Sequence, residues 1–534
     1  MAVPFPESPV EADRLKLLHP GSGEKSPRGG YVLYWMQKSQ RAFGNPALEQ
    51  AAAAAAGIGL PLLVLFCLAD FPGASPVHYR FMLRGLKETA KDLRSRGAAF
   101  AILRGHPPAL AAGLAREAAL VVCDAGRLRV ERAWRAELAA ALAAQERPPA
   151  LLEVEAEAVV PPDSASRKEE WSAATLRRKI EGALPFYLHE LPAIELPVDG
   201  RLLGTLGDDA LFAAYDAPFG PAYPGDRAPE QRPSFVPGQA AGMARYAAFL
   251  DQGLGRYAAE RSDPSKEGQS GMSPYLHFGQ VSAVELARLA RLRGEAAAPG
   301  RRRGPAEPAR PLAEVAAAFL EELVVRRELA ANYVLRNPDY DGYAGVPAWA
   351  RASLAEAALL PGPIDAAGAR TGKAGAGTGS AGARKAAAGE TSAAGAAGAP
   401  QARERYSPGE LEAARTADPY WNAAQDEMVL TGKMHNYLRM YWGKKILEWS
   451  SSPEEAFATA LRLNDRYSLD GRDPNGCAGV AWCFGKHDRP WTRRPVFGSV
   501  RYMNAAGLRR KFDIEAYVGR IEALRSSIAQ RPSP

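Results

Sequence analysis

Between Tyr31 and Val154 the chain alternates short apolar runs with longer amphipathic stretches. Tyr31–Trp35, Leu62–Cys67, Ala99–Leu103, Leu120–Cys123 and Leu151–Val154 are runs with few polar interruptions, the pattern of strands buried on both faces. Helical patterns open between them at Pro46, Val77, Pro107 and Arg127; in Val77–Arg96, Tyr79, Met82, Leu83, Leu86 and Leu93 fall near one face. Strands alternating with helices predict an α/β fold over 31–160, a doubly wound, Rossmann-like parallel sheet covered on both sides. No GxGxxG or P-loop follows any of these strands, so no nucleotide site follows from motifs there.

After residue 155 the pattern changes. Residues 156–240 are rich in proline and turn formers, and 161–242 reads as a long connection between domains. From Met243 the periodicity is helical, which predicts an all-α domain over 243–534. Two stretches interrupt it, Glu295–Arg310 and Ala366–Pro400. Both lack the large apolar residues that offset chain entropy, so both are expected to be disordered loops. Residues 1–30, with their acids and prolines, read as a disordered tail.

Charge changes this picture in one place. The net charge of +7 is only mildly basic. From Gly485 to Phe512, however, eight Lys or Arg stand against one acid, Asp488, and Trp482 and Trp491 flank the start of the run. Arginines interleaved with aromatics suit a phosphate backbone and an unstacked base. The cysteines, Cys67, Cys123, Cys477 and Cys483, form no CxxC pair, which points to a reducing compartment and to no metal site. No apolar window is long enough for a membrane helix. The N-terminus lacks a secretory pattern, so secretion is not expected.

Four segments of the helical half carry candidate chemistry. Arg256–Phe278 contains Gln269-Ser270-Gly271-Met272-Ser273 just before Pro274, a helix start offering hydroxyls and free N–H groups to a pyrophosphate, though the same pattern also serves as an ordinary N-cap. In Phe319–Tyr333, Glu322 and Arg326 are four apart and can pair on one helix face. In Asp418–Trp449, Arg439, Trp442, Ile446 and Trp449 fall along one side of a helix, which also suits plain core. Leu463–Phe484 is crowded with Asp, Asn and Gly, as in a structured loop.

Together these segments resemble the photolyase and cryptochrome superfamily, and more narrowly the class II cyclobutane pyrimidine dimer photolyases. The strings that carry the resemblance are YWMQKSQR, ASRKEEWSAATLRRKI, SPYLHFGQ, KMHNYLRMYW, LNDRYSLDGRDPNG and VFGSVRYM, and they extend over nearly the whole chain. The resemblance implies an antenna domain in the N-terminal half and an FAD-binding catalytic domain in the helical half. Tyr257 and Gln269, Ser270, Gly271, Met272 and Ser273 match positions that hold the FAD phosphates. Arg439 and Asp470 match a salt bridge beside the isoalloxazine ring. Asn464 or Asn475 would face its redox-active nitrogen, with Asn464 favoured. Glu322 matches a carboxyl that hydrogen-bonds the dimer, and Trp482 an aromatic wall against it. Trp442, Trp421 and Trp449 match a tryptophan chain that leads an electron in from the surface. Arg489 and Arg501 match residues that fill the gap in the duplex or grip its backbone.

The implied activity is blue-light repair of DNA damage, photoreactivation by a flavoprotein lyase. The implied partner is UV-damaged DNA, the implied state a monomer, and the implied second chromophore a deazaflavin or a folate. The nucleus is the expected compartment in a eukaryote, with the plastid as the other address, and the cytoplasm otherwise. Two rivals share the fold. A cryptochrome-like photoreceptor that signals through partners is disfavoured because the chain ends about 20 residues after the basic stretch. A (6-4) photoproduct repair enzyme needs a histidine pair at the lesion, and only His435 and His487 lie in the matched C-terminal segments.

Overall fold

A computed structural model describes residues 8–22, 29–203, 212, 235–296, 311–358 and 404–530. Six strands form one sheet: β1 (Leu15–His19), β2 (Tyr31–Met36), β3 (Leu62–Leu68), β4 (Ala99–Arg104), β5 (Ala118–Asp124) and β6 (Ala150–Val154). Their order is β1-β6-β5-β2-β3-β4. All neighbours are parallel except β1, which runs antiparallel to β6. Every residue of β2, β3 and β5 is buried. Alternate side chains serve two cores: Val32, Tyr34 and Met36 face one side of the sheet, and Tyr31, Leu33 and Trp35 the other. Helices α1 (Pro46–Ile58), α2 (Pro76–Ser95), α3 (Pro107–Ala115) and α4 (Arg129–Ala143) cover the faces. The expected α/β fold is present, and after the connecting segment the described chain is helical.

Two stretches are more ordered than the sequence pattern suggests. The tail expected over 1–30 includes β1, whose residues Leu15–His19 pair with β6 at the sheet edge. Arg14 is the reason: its buried guanidinium donates to the carbonyls of Glu155 at 3.2 Å, Ala158 at 3.0 Å and Val159 at 2.8 Å. The connection expected over 161–242 includes a helix, Ala173–Tyr187, whose Leu176, Ile180 and Tyr187 join the core of the helical half. The stretch 297–310 and the insert 366–400 lie outside the described residues.

The two halves are locked by buried polar contacts. Arg41 on the sheet side donates to Glu157 Oε1 at 2.7 Å and to the Gly279 carbonyl at 2.9 Å. Gly279 has φ +63°, and a Cβ there would strike the Lys38 carbonyl, so the two backbones approach as only glycine permits.

Candidate active site

The helical half encloses a cavity of about 560 Å³, a volume suited to a cofactor. Its floor and walls come from segments far apart in sequence. Tyr257 and Gln269–Ser273 form one side, Glu322 and Arg326 another, and Asn475, Trp482 and Arg501 close it. The sequence thus separates these groups by up to half the chain, and the fold gathers them.

The loop before Ser273–His277 is held by its glycine. Gly271 has φ +68°, and a Cβ there would lie 2.5 Å from Arg245 Nε, so the guanidinium rests against bare backbone. The following helix is a single short turn of five residues. The positive charge at this wall therefore comes mainly from side chains. Lys433 Nζ donates to Ser273 Oγ at 2.7 Å and lies 3.7 Å from Asp470 Oδ2. Arg439 Nη2 donates to Asp470 Oδ1 at 3.2 Å. Burial would raise the Asp470 carboxyl, but Arg439 and Lys433, helped by Ser273, hold it well below the ordinary carboxylate range. Two cations on one carboxylate leave a net positive wall. Arg245 and Lys433 are functional candidates that sequence reasoning missed; Lys433 opens the KMHNYLRMYW string, and nothing local marks Arg245.

The Arg439–Asp470 pair is as expected, although neither residue is among those lining the cavity. Arg439 Nε is buried without a partner, an unspent donor beside the pair. Cationic and hydroxyl donors on one wall, with an unspent guanidinium N–H at Arg439, are the set that a pyrophosphate and an electron-rich ring require, so the residues fit a dinucleotide flavin.

The two asparagines separate. Asn475 lines the cavity, its amide nitrogen donating to Asp473 Oδ1 at 3.0 Å. Asn464 is buried at 1% exposure, donates to Asp465 Oδ1 at 3.1 Å, and packs under Gly476. The favoured Asn464 is therefore not among the cavity-lining residues.

Glu322 does not pair with Arg326. Residues Glu321–Arg326 form a π-turn, which moves the helical partner from four residues on to five. Arg326 Nε accordingly meets Glu321 Oε1 at 3.1 Å. Glu322 is left facing the cavity, where Arg261 Nη1 binds its Oε1 at 2.6 Å.

The tryptophans form a chain across two helices. Trp442 and Trp449 belong to Asn436–Trp449, and Trp421 to Pro419–Thr431. Trp421 stacks on Trp442 with centroids 6.4 Å apart and planes 4° apart. It meets Trp449 edge-on at 5.5 Å. Trp421 Nε1 donates to the Trp442 carbonyl at 3.0 Å, and Trp442 Nε1 to Gln425 Oε1 at 2.9 Å. All three are buried, Trp449 included, so the chain does not reach the surface at Trp449. The half-buried Tyr406 ring stands edge-on to Trp449 at 5.0 Å.

The basic stretch is not uniformly free. Lys486 is buried against Glu169 and lies over the Tyr333 ring at 4.5 Å. Arg493 is paired with Glu356 at 2.7 Å. Arg489 and Arg501 instead lie over the Trp491 ring, at 5.6 and 5.1 Å from its centroid. Arg501 lines the cavity and Arg489 does not. Of the two histidines in these segments, His487 lines the cavity and His435 does not. Among the described residues no cluster of His, Cys, Asp or Glu could hold a metal ion, and no helix is long and apolar enough to cross a membrane.

A DNA photolyase family model matches residues 32–197. The chain is 41% identical over 96% of its length to a deoxyribodipyrimidine photo-lyase of Methanothermobacter thermautotrophicus, covering 99% of that protein. It is 36% identical over 97% of its length to the enzyme of that name from Oryza sativa subsp. japonica, covering 92% of it. Its fold is similar to that of a class III photolyase from Agrobacterium tumefaciens, with a TM-score of 0.66 at 16% identity, over 94% of this chain and 88% of that one. A cryptochrome from Synechocystis sp. PCC6803 gives a TM-score of 0.62 at 15% identity, over 92% and 88%. A photolyase and a cryptochrome thus share this fold, whereas identity over nearly the full length joins the chain to named enzymes: it belongs to the deoxyribodipyrimidine photo-lyases, the lyases that repair DNA as photolyases.

Proposed function

We propose that this enzyme is a class II photolyase that splits cyclobutane pyrimidine dimers with blue light. The observation that carries the reading is the single cavity that unites Gln269–Ser273, Glu322, Asn475 and Trp482. Ser270, Ser273, Lys433 and Arg245 would hold the FAD pyrophosphate, with Tyr257 beside them. Arg439, paired to Asp470, would turn its free Nε–H toward the flavin ring and favour the anionic form. Asn464, on the helix Pro453–Tyr467, or Asn475, at the head of Pro474–Cys483, would face the redox-active ring nitrogen; exchanging each for Ala and reading the flavin potential identifies which. FAD, when bound and reduced, supplies the electron that opens the cyclobutane ring under light and takes it back.

The dimer must leave the base stack to reach the cavity, and photolyases are among the standing examples of such base flipping. Trp482 would stack against the extruded dimer. Glu322 would exchange part of its bond to Arg261 for one accepted from a ring N–H of the dimer, holding the lesion in place. Arg501 would meet the strand at the cavity mouth and Arg489 the backbone outside it. Trp442, Trp421 and Trp449 would pass an electron inward when the cofactor is oxidised.

A second chromophore, deazaflavin or folate, would lie in the N-terminal half. The cleft between the ends of β2 and β3 and the helical half favours that placement: Trp35 and Trp134 line it, and both amide atoms of Gln37 are buried there without partners. The test of the main reading is spectral and catalytic. Purified protein should carry one FAD and repair a defined thymine dimer only under light; protein that is loaded with FAD yet leaves the dimer intact overturns it.

A further inference from the structure

Trp171 is among the most exposed large apolar side chains described, at 55%, and it lies in the connecting segment rather than in either core. A bare indole on a soluble protein costs solvation unless something covers it. Its backbone is nonetheless fixed. The His487 Nδ1–H donates to the Trp171 carbonyl at 3.0 Å, and His487 lines the cavity. One residue earlier, the Glu170 amide donates to Asn332 Oδ1 at 2.8 Å, and Asn332 Nδ2 donates to the Lys168 carbonyl at 2.9 Å. Asn332 shares the helix Arg327–Arg336 with Leu329 and Ala330, which also line the cavity. The segment is thus pinned to the outside of the cavity wall while its ring points to water.

Its charges lean one way. Glu169 is bound by Lys486, and Glu170 by Lys179 at 2.5 Å. Arg167 and Lys168 are exposed and have no acidic partner among the described residues. The segment therefore presents one indole and two cations without an acidic partner beside His487, and the basic stretch that carries His487 also carries Trp491 with Arg489 and Arg501 over its ring. Cation–indole pairs of this kind suit nucleic acid: the cations meet phosphates and the ring stacks on a base or covers a sugar.

We infer that Trp171, with Arg167 and Lys168, is a second DNA contact, which holds the strand flanking the extruded dimer while Trp491, Arg489 and Arg501 hold the other side. The inference rests on DNA as the substrate, and it adds an interaction surface outside the cavity. It is tested in the dark with the FAD-loaded full chain by titrating dimer-containing duplex. Trp171→Ala should raise Kd about tenfold, as expected for one lost stacking contact, with Trp171→Phe recovering most of it. Arg167→Ala with Lys168→Ala should lower the slope of log K against log salt by about two. FAD content, melting temperature and light-driven repair at saturating DNA should stay at wild-type values. Wild-type Kd in Trp171→Ala overturns the proposal, as does a loss of FAD or melting temperature that accompanies the affinity change. Wild-type protein that fails to prefer dimer duplex would instead sink the repair reading itself, together with this contact.

Discussion

The helix Asn436–Trp449 serves two regions built on opposite principles. On one side, Asn436, Tyr437 and Met440 face the cavity. On the other, Trp442 and Trp449 bury themselves against Trp421. The tryptophan side is complete as it stands: its rings are buried and the indole N–H groups of Trp421 and Trp442 are spent on protein acceptors. The cavity side is incomplete, with Asn436 and Asn475 exposed to it and Arg439 Nε unspent nearby. A region that needs nothing from outside can conduct without binding, whereas one with unspent donors is built around something else. The two regions should then fail separately.

The largest separation is expected at Trp442. Trp442→Phe keeps the ring volume nearly filled but removes the indole stacked on Trp421, so light-driven reduction of oxidised flavin should be abolished while FAD content is retained. Time-resolved flavin absorbance checks this; photoreduction at the wild-type rate would show that the stacked indoles are only core.

On the cavity side, Arg439→Ala leaves Asp470 with Lys433 and the Ser273 hydroxyl. Breaking a buried pair on one side costs about 3 kcal/mol or more, and here the cost should appear as lost FAD affinity and a weaker anionic reduced form. Full FAD content with an unchanged reduced spectrum would remove Arg439 from the site.

Acid should affect both regions together through the frame that holds them. Burial lowers His277, His435 and His487 each to about 4, and His78 well below its ordinary value. Between the ordinary histidine value and about 4 the unfolded chain binds more protons, so stability falls as pH drops through that window. Glu328 opposes this: burial raises it to about 7, so its protonated form contributes stability that is lost as pH rises through 7. Asp426, Glu427 and Asp465, also raised by burial, act with Glu328, but the four histidines act in the window from about 6.5 down to about 4, and the melting temperature should be lower at pH 5 than at pH 7. A flat or rising profile would mean that the buried histidines find partners in acid.

The smallest effect belongs to the rim. Arg501→Ala and Arg489→Ala should each weaken binding of dimer duplex and lower the salt slope by about one. An unchanged slope would show that the arginine touches no phosphate.

What was legible in the sequence depended on how local the cause is. β2, β3 and β5 are buried on both faces, so they stand out as unbroken apolar runs. β1 does not, because an edge strand pairs on one side and LKLLH is half exposed. Arg14, which fastens that strand, looks like a tail residue until its acceptors some 140 residues away are in place. The helix Ala173–Tyr187 was masked by surrounding prolines and by Pro185 within it. In the site, spacing placed Trp442 and Trp449 on one side of a helix, but the ring that joins them comes from another. The π-turn at Glu321–Arg326 overturned the expected Glu322–Arg326 pair, and no periodicity argument anticipates an extra residue in a turn. Lys433 and Arg245 act on a loop through contacts that only the tertiary fold creates.

The most direct measurement compares Trp442→Phe with Glu322→Ala after both have been reduced chemically and given a duplex with one thymine dimer under blue light. Trp442→Phe should repair at close to the wild-type rate, since a cofactor that is already reduced needs no wire. Glu322→Ala should repair about tenfold or more slowly, as for a charged hydrogen bond removed from the reacting group, with its photoreduction intact. Equal loss of repair in both, or wild-type repair by Glu322→Ala, would contradict the division between a cavity that repairs and a chain that only supplies electrons.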